Sequence, residues 1–187
     1  MLKIFSCVIC YIIELKIPTL KFMKLIVMRH GEAEPSNISD KARNLTAYGQ
    51  RQTQTAGSWL ASHVIDNNTI NVALVSPFTR AQQTYAGVVS QLSIERKVDV
   101  VELIPEAKPR QMHKVLDSFL SKNPEVQSII LISHMPLICY LLDEILLTHQ
   151  GTLFDTSSMA IIEYDYKTGL GELKAFYHPS MCDSDSN

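Results

Sequence analysis

Four side chains in this sequence could together bind an oxyanion, and a carboxylate, like them, follows a predicted strand. They are Arg29, His30, Arg80 and His134, with Glu106 as the carboxylate. An arginine guanidinium is planar, permanently charged and matched to a phosphate or a carboxylate, so two arginines indicate a dianionic ligand. A histidine beside them can act as a nucleophile, a general base or an electrostatic partner. Each residue alone is more often structural or solvated, so the prediction depends on all five meeting at one place.

The hydrophobic pattern predicts the elements that would bring these residues together. Strands are predicted at 24–28, 72–76, 98–103, 128–133, 159–166 and 171–177. Helices are predicted from the N-cap Thr46 to about 66, and at 78–92, 111–122 and 136–148. The alternation predicts an α/β three-layer sandwich with a mostly parallel sheet of about six strands, of which the closing hairpin makes at least one antiparallel. Ligands bind beyond the carboxyl ends of parallel strands, where all five residues fall.

Two further features of this edge concern anion and metal binding. Gly31 would let the backbone approach closely and expose N–H groups at a predicted helix start, which is a second device for binding an anion. His30 and Glu32 do not have the spacing that places two metal ligands on one helical face. Nearby arginines would also repel a cation, so we expect no metal site. No dinucleotide or P-loop motif is present in the sequence.

The composition is that of one globular domain. The chain has 187 residues, of which 46% are hydrophobic and 19% charged, and its formal net charge is −2. This excludes a general attraction to nucleic acid or to an anionic membrane. The four cysteines, Cys7, Cys10, Cys139 and Cys182, are too few and too scattered for a disulfide scaffold. We interpret them as reduced residues of a cytoplasmic protein.

The two ends of the chain are expected to lie outside the folded domain. The apolar stretch 4–13 is too short to span a bilayer, which takes about 20 residues. No small-x-small cleavage site follows it. We interpret residues 1–22 as an extension that is not part of the fold, with a signal peptide or a membrane-surface anchor as the alternative. Residues 23–182 would form the domain, and 183–187 a polar tail.

Four sequence blocks in order carry a resemblance to a known family. They are 25–33 (LIVMRHGEA), Leu45-Thr46-x-x-Gly49, 76–84 (SPFTRAQQT) and 132–137 (ISHMPL). Together they resemble the motifs of the histidine phosphatase superfamily, the phosphoglycerate mutase-like proteins. The short Arg-His-Gly motif would recur by chance, but four ordered blocks at strand ends are specific. The Ser-His-x-Pro-Leu form, the few insertions and 155–158 (DTSS) before the hairpin are most similar to small bacterial phosphohistidine phosphatases.

The resemblance implies a phosphoglycerate mutase-like fold and a phosphatase mechanism. His30 would attack phosphorus and carry a transient phosphoryl group, which water would then hydrolyse. Arg29, Arg80 and His134 would hold the phosphoryl oxygens, together with Gly31. No cofactor is expected, because the arginines supply the positive charge.

The resemblance leaves the general acid open. Many members place a glutamate after the third strand to protonate an alkoxide leaving group, and Glu106 lies in that region. Its flanking residues do not reproduce the mutase pattern, so Glu106 is either a possible general acid or a solvated loop residue. Glu32, beside the nucleophile, is interpreted as local scaffolding. A phosphohistidine substrate would need less acid, because its P–N bond is labile.

Three functions follow from the sequence and remain open at this point. The first is a phosphohistidine phosphatase acting on a phosphorylated protein, such as a histidine phosphotransfer domain of a signalling relay. The second is a phosphatase of the same superfamily for a small phosphomonoester or a sugar phosphate, and the third is a phosphate-binding module without turnover. We expect a monomer with neither a nucleic-acid nor a membrane partner. The length leaves no room for a lid, so the pocket should be shallow and open.

Overall fold

A single sheet organises the part of the chain that the computed structural model describes, residues 22–35 and 39–179. Its strands are β1 Met23–Arg29, β2 Thr69–Val75, β3 Ser93–Asp99, β4 Ser128–Ser133, β5 Met159–Asp165 and β6 Leu170–Tyr177. The helices are α1 Ala47–His63, α2 Thr79–Val89, α3 Pro109–Lys122 and α4 Leu137–Leu146. Three short 3₁₀ turns cover Asp40–Ala42, Asp66–Asn68 and Val101–Leu103.

The strand order is β3-β2-β4-β1-β5-β6. The first four strands in that order run parallel to one another, whereas β5 is antiparallel to β1 and β6 is antiparallel to β5. The predicted α/β sandwich with a mixed, mostly parallel sheet of six strands is therefore confirmed. The parallel order brings the carboxyl ends of β1, β2 and β4 to one edge, with β1 and β4 adjacent.

Each face of the sheet packs against one pair of helices. On β1, Leu25 and Val27 contribute to a core shared with α3 and α4, whereas Ile26 and Met28 contribute to a core shared with α1 and α2. All four side chains are fully buried. A strand covered on both faces reads as a continuous apolar run, which is why the sequence pattern located it. The packing also holds the end of β1, where Arg29 and His30 lie, from both sides.

The third strand differs from the prediction. The sequence predicted a strand at 98–103, but β3 occupies 93–99. Residues 101–103 form a 3₁₀ turn instead. β3 is an edge strand, and its central residues, 95–97, are charged and exposed. The apolar pattern that suggested a strand comes from Val100 and Leu103, which are buried in the core shared with α3 and α4.

The predictions for the chain ends lie almost wholly outside the described residues. Of the proposed extension 1–22, the structure describes only Phe22, and it does not describe the proposed tail 183–187. Cys7, Cys10 and Cys182 also lie outside the described residues. Among the residues that the structure does describe, no helix is long and apolar enough to cross a membrane.

The start of α1 lies against the loop that follows β1. Thr46 is its N-cap, as predicted, and its hydroxyl accepts a hydrogen bond from the Gly49 N–H at 2.9 Å. A Cβ atom on Gly49 would lie 2.0 Å from the backbone oxygen of Glu32. Glycine is therefore required at this position so that helix and loop can touch.

We predict that Gly49→Ala destabilises the protein relative to Gly57→Ala. Both substitutions replace a glycine of α1 with alanine, which has the higher helix propensity. At Gly57, however, the nearest contact of the added carbon is 3.1 Å, against 2.0 Å at Gly49. The overpacked variant should have a free energy of unfolding lower by about 1–3 kcal/mol, measured by urea denaturation. Equal stability of the two variants would show that helix and loop are not in close contact.

Candidate active site

Four of the predicted residues meet at the carboxyl edge of the sheet. Arg29 ends β1 and His30 follows it, His134 follows β4, and Arg80 lies in the first turn of α2. All four line a cavity of about 420 Å³. His30, Arg80 and His134 are buried, with 7%, 3% and 1% of their surfaces exposed.

Two hydrogen bonds define the proton position on His30. Its Nδ1 atom lies 2.7 Å from the backbone oxygen of Gly31, and its Nε2 atom lies 3.1 Å from the Nε atom of Arg80. A carbonyl only accepts and an arginine only donates, so Nδ1 carries the proton and Nε2 carries the lone pair. The lone pair is the nucleophilic electron pair of an imidazole, and it is held beside the Arg80 guanidinium.

Both histidines of the cavity are neutral near pH 7. Burial, with smaller contributions from Arg80 and the other arginines, lowers the pKa of His30 to about 4. Burial and the neighbouring His30 ring, whose centroid is 4.9 Å away, lower the pKa of His134 to about 2. A neutral His30 is the form that can act as a nucleophile.

Two polar atoms of cavity residues are buried without a hydrogen-bond partner among the described residues. The Nε2 atom of His134 lies 2.7 Å from the Ser76 hydroxyl, but its Nδ1 atom is unpartnered. Arg29 donates from Nη1 to the Phe154 carbonyl at 2.6 Å, but its Nε atom is unpartnered. Buried polar groups are nearly always paired, so these two atoms indicate that the site is built to bind a polar ligand.

The sequence interpretation missed Asp40 and Arg43, which also line this cavity. Asp40 accepts hydrogen bonds from Arg80 Nη2 at 2.9 Å and from Arg43 Nη1 at 3.0 Å. Burial by itself would raise the pKa of Asp40, but the hydrogen bonds from both arginines outweigh it and lower that pKa. Asp40 lies on a short 3₁₀ turn and Arg43 directly follows it. Neither residue belongs to a segment with the hydrophobic periodicity of a strand or a helix. Their Asp-x-x-Arg spacing was the only available signal.

The predicted role of Gly31 in anion binding stays a prediction, although its surroundings differ from those expected. Residues 31–35 are not helical, and the first helical turn among the described residues after β1 is Asp40–Ala42. The Gly31 N–H donates to the Thr84 hydroxyl at 3.0 Å, so it is committed to the scaffold. A Cβ atom on Gly31 would lie 2.7 Å from the Gly49 backbone oxygen. The residue thus permits the close contact between this loop and α1.

The structure does not bring Glu106 into the cavity. Its side chain is exposed, and the adjacent Pro105 is the residue that lines the cavity after β3. A role as general acid stays a prediction. Glu32 does line the cavity, and its carboxylate accepts a hydrogen bond from the Thr46 hydroxyl at 2.8 Å.

The segment 155–158 holds the backbone of the nucleophile. The Ser157 N–H donates to the His30 carbonyl at 3.1 Å, and the Arg29 N–H donates to the Ser158 carbonyl at 3.1 Å. Ser157 adopts a positive φ of 63°, which turns the chain back towards β1. Thr156, which directly precedes these two residues, lines the cavity.

This arrangement is suited to phosphoryl transfer. Guanidinium groups surround a neutral imidazole whose lone pair is fixed, and such preorganised donors stabilise charge on the oxygens of a phosphoryl group. Within residues 22–35 and 39–179, no cluster of three or more histidine, cysteine, aspartate or glutamate side chains could hold a metal ion.

Comparison with known proteins agrees with this chemistry. The family model described as histidine phosphatase superfamily (branch 1) matches residues 25–107. The phosphohistidine phosphatase SixA homolog of Haemophilus influenzae is 34% identical over 148 residues, which are 76% of this chain and 89% of that protein. Phosphohistidine phosphatase SixA of Escherichia coli is 32% identical over 145 residues, covering 76% of this chain and 86% of its own.

Solved structures show the same fold. The protein histidine phosphatase SixA complexed with tungstate superposes with a TM-score of 0.78 at 30% identity, covering 86% of this chain and 99% of that one. An α-ribazole-5′-phosphate phosphatase from Escherichia coli superposes with a TM-score of 0.65 at 18% identity, covering 84% and 98% of the two chains. At that identity the second likeness concerns the fold alone.

We predict that His30 stays neutral and keeps its proton on Nδ1 down to about pH 5. Its pKa of about 4 lies below the value of about 6.5 for a histidine in an unfolded chain. The unfolded state therefore binds the proton more tightly, and this residue makes the fold less stable as the pH falls from 6.5 towards 4. Nitrogen-15 NMR of labelled histidines checks the tautomer and the titration, with the urea-unfolded protein as control. A His30 titration centred near pH 6.5 would contradict the geometry.

Proposed function

The chain belongs to branch 1 of the histidine phosphatase superfamily and is a phosphatase, and we propose that it removes phosphate from a phosphohistidine on another protein. The observation that carries the proposal is the neutral His30, whose Nε2 lone pair is fixed beside Arg80 in a cavity whose two described carboxylates, Glu32 and Asp40, are already hydrogen-bonded. The two relatives named as phosphohistidine phosphatases, matched over most of their length, support the same substrate class.

In the first step His30 Nε2 gives up the hydrogen bond from Arg80 and attacks phosphorus with the freed lone pair, and the P–N bond of the substrate breaks on the opposite side. The phosphoryl group moves to His30, and the substrate imidazole leaves with the electron pair of that bond. Arg80 and Arg29 stabilise the charge that spreads over the phosphoryl oxygens. The unpartnered Arg29 Nε and His134 Nδ1 atoms would gain oxygen partners in this complex. SixA, the structural relative, holds tungstate, an oxyanion of similar shape to phosphate.

In the second step water attacks phosphorus, the bond to His30 breaks and inorganic phosphate leaves. The same donors act again, because the phosphoryl group has stayed among them. His30 regains its lone pair on Nε2, while Nδ1 remains bonded to the Gly31 carbonyl. The enzyme thereby returns to its starting state.

The available carboxylates favour a P–N substrate over a phosphate ester. Asp40 is bound to two arginines, and these hydrogen bonds keep it ionised at neutral pH. Glu32 lines the cavity, but its carboxylate is engaged by the Thr46 hydroxyl, and Glu106 is exposed and does not line the cavity. An alkoxide leaving group needs a proton donor, whereas a phosphohistidine that carries a proton on its other ring nitrogen leaves as neutral imidazole. Such a substrate needs no proton from the protein.

The rim of the cavity is consistent with a protein substrate. Glu32 is exposed, Arg43 is partly exposed, and the Asp40 side chain keeps 48% of its surface in solvent. We propose a phosphorylated protein, such as a histidine phosphotransfer domain, as the partner. A cytoplasmic location and a monomeric state are part of the proposal.

We predict that the protein releases phosphate from a phosphohistidine peptide at least about 100-fold faster than from a phosphoserine peptide or a sugar phosphate. The two esters need a general acid, and its absence lowers the rate roughly 100-fold or more. His30→Ala should abolish release, and His149→Ala, an exposed histidine outside the cavity, should not. Phosphate appearance at equal substrate concentrations is the measurement.

Each other outcome has a defined meaning. Release from the ester or the sugar phosphate alone would contradict the phosphohistidine substrate. Activity that survives His30→Ala would contradict the nucleophile. Peptide binding without release would identify a phosphate-binding module.

A further inference from the structure

Asp40 provides three acceptors to the arginines of the site. Arg80 donates from Nη1 to the Asp40 backbone oxygen at 2.6 Å and from Nη2 to its carboxylate at 2.9 Å. Arg43 donates to the other carboxylate oxygen at 3.0 Å. The Arg80 side chain is 4% exposed and that of Asp40 is 48% exposed, so the carboxylate covers the outer edge of a buried cation.

One guanidinium therefore faces both the nucleophile and this carboxylate. The Nε atom of Arg80 contacts His30 Nε2, and its two outer nitrogens contact Asp40. A phosphoryl group placed for attack by His30 must approach the same guanidinium. Its oxygens then lie beside the Asp40 carboxylate, and the two anions repel each other.

The Asp40 carboxylate lowers the net positive charge of the cavity. Three arginines, Arg29, Arg43 and Arg80, and two carboxylates, Glu32 and Asp40, line it. Their formal charges leave an excess of one positive charge. Glu32 bonds to the Thr46 hydroxyl, whereas Asp40 bonds directly to two arginines. Asp40 is thus the carboxylate that competes for the groups proposed to bind phosphate.

We propose that Asp40 is a resident anion of the site, which shares Arg80 and Arg43 with the phosphoryl group and keeps the affinity for free phosphate low enough for product release. The inference rests on the proposed phosphoryl site and deepens it. Asp40 acts through the arginines, so it is a positioning residue and not a catalytic one. Its half-exposed carboxylate can move into solvent when a phosphoryl group takes its place on Arg80.

A purely structural role for Asp40 predicts the opposite result. If the carboxylate only braced Arg80, its loss would weaken phosphate binding. Asp40→Asn separates the two roles, because the amide keeps an oxygen that can accept from Arg80 and the backbone oxygen is unchanged. The substitution removes the negative charge and the second carboxylate acceptor, which bonds to Arg43 in the wild-type protein.

The test is isothermal titration of inorganic phosphate into the wild-type protein and the variant at pH 7.5 and constant ionic strength. We expect Asp40→Asn to bind phosphate about tenfold more tightly, as the loss of a nearby like charge predicts. Its inhibition constant for phosphate during turnover should fall by a similar factor. Glu32→Gln removes a charge from the same cavity without an arginine contact and should change binding less.

A matched control lies at the opposite edge of the sheet. Asp66 pairs with Lys24 at 3.9 Å beside a separate cavity, and Asp66→Asn should leave phosphate binding unchanged. Unchanged or weaker phosphate binding by Asp40→Asn would overturn the proposal. If the asparagine variant is unstable, the same phosphate titration is made with Asp40→Ser, for which tighter binding is again expected. Binding is measured without turnover, so failure of the phosphohistidine assay would not affect the result.

Discussion

The hydrogen bond from the Arg80 Nε atom to the His30 Nε2 atom is the interaction on which the site depends. It requires a lone pair on Nε2, which the opposite bond from Nδ1 to the Gly31 carbonyl also requires. One tautomer satisfies both bonds. Burial then keeps the ring neutral by holding its pKa at about 4. The nucleophile is consequently prepared in the resting protein, and no neighbouring base has to remove a proton from it.

The fold serves this interaction by fixing both partners from several directions. The His30 N–H donates to the Ser133 carbonyl at 3.0 Å, and the His30 carbonyl accepts from Ser157 at 3.1 Å. On the other side, Arg80 is held by Asp40, on the turn that precedes α1. Three separate parts of the chain thus place two side chains within hydrogen-bonding distance, which a local motif could not do.

The features predicted correctly from the sequence are the buried strands, which have a repeating apolar pattern, and the residues at their ends. β1 and β4 were located because both faces are covered, and Arg29, His30 and His134 follow directly from their ends. β3 was misplaced because its central residues, 95–97, are charged and exposed, whereas the apolar residues lie in the segment that follows it. Asp40 and Arg43 were missed because they lie in an irregular connection, where only tertiary contact with Arg80 gives them a role. Gly31 was predicted to bind an anion, but its partners, Thr84 and Gly49, come from distant segments.

In the proposed mechanism His30 carries the phosphoryl group between the two steps. Rapid-quench sampling during turnover of a phosphohistidine peptide, followed by mass spectrometry under alkaline conditions that preserve phosphohistidine, would detect this intermediate. We expect phosphate on the peptide that contains His30, formed and lost fast enough to explain the rate of turnover. Phosphate release with no labelled enzyme peptide, or with the label on another residue, would contradict this mechanism.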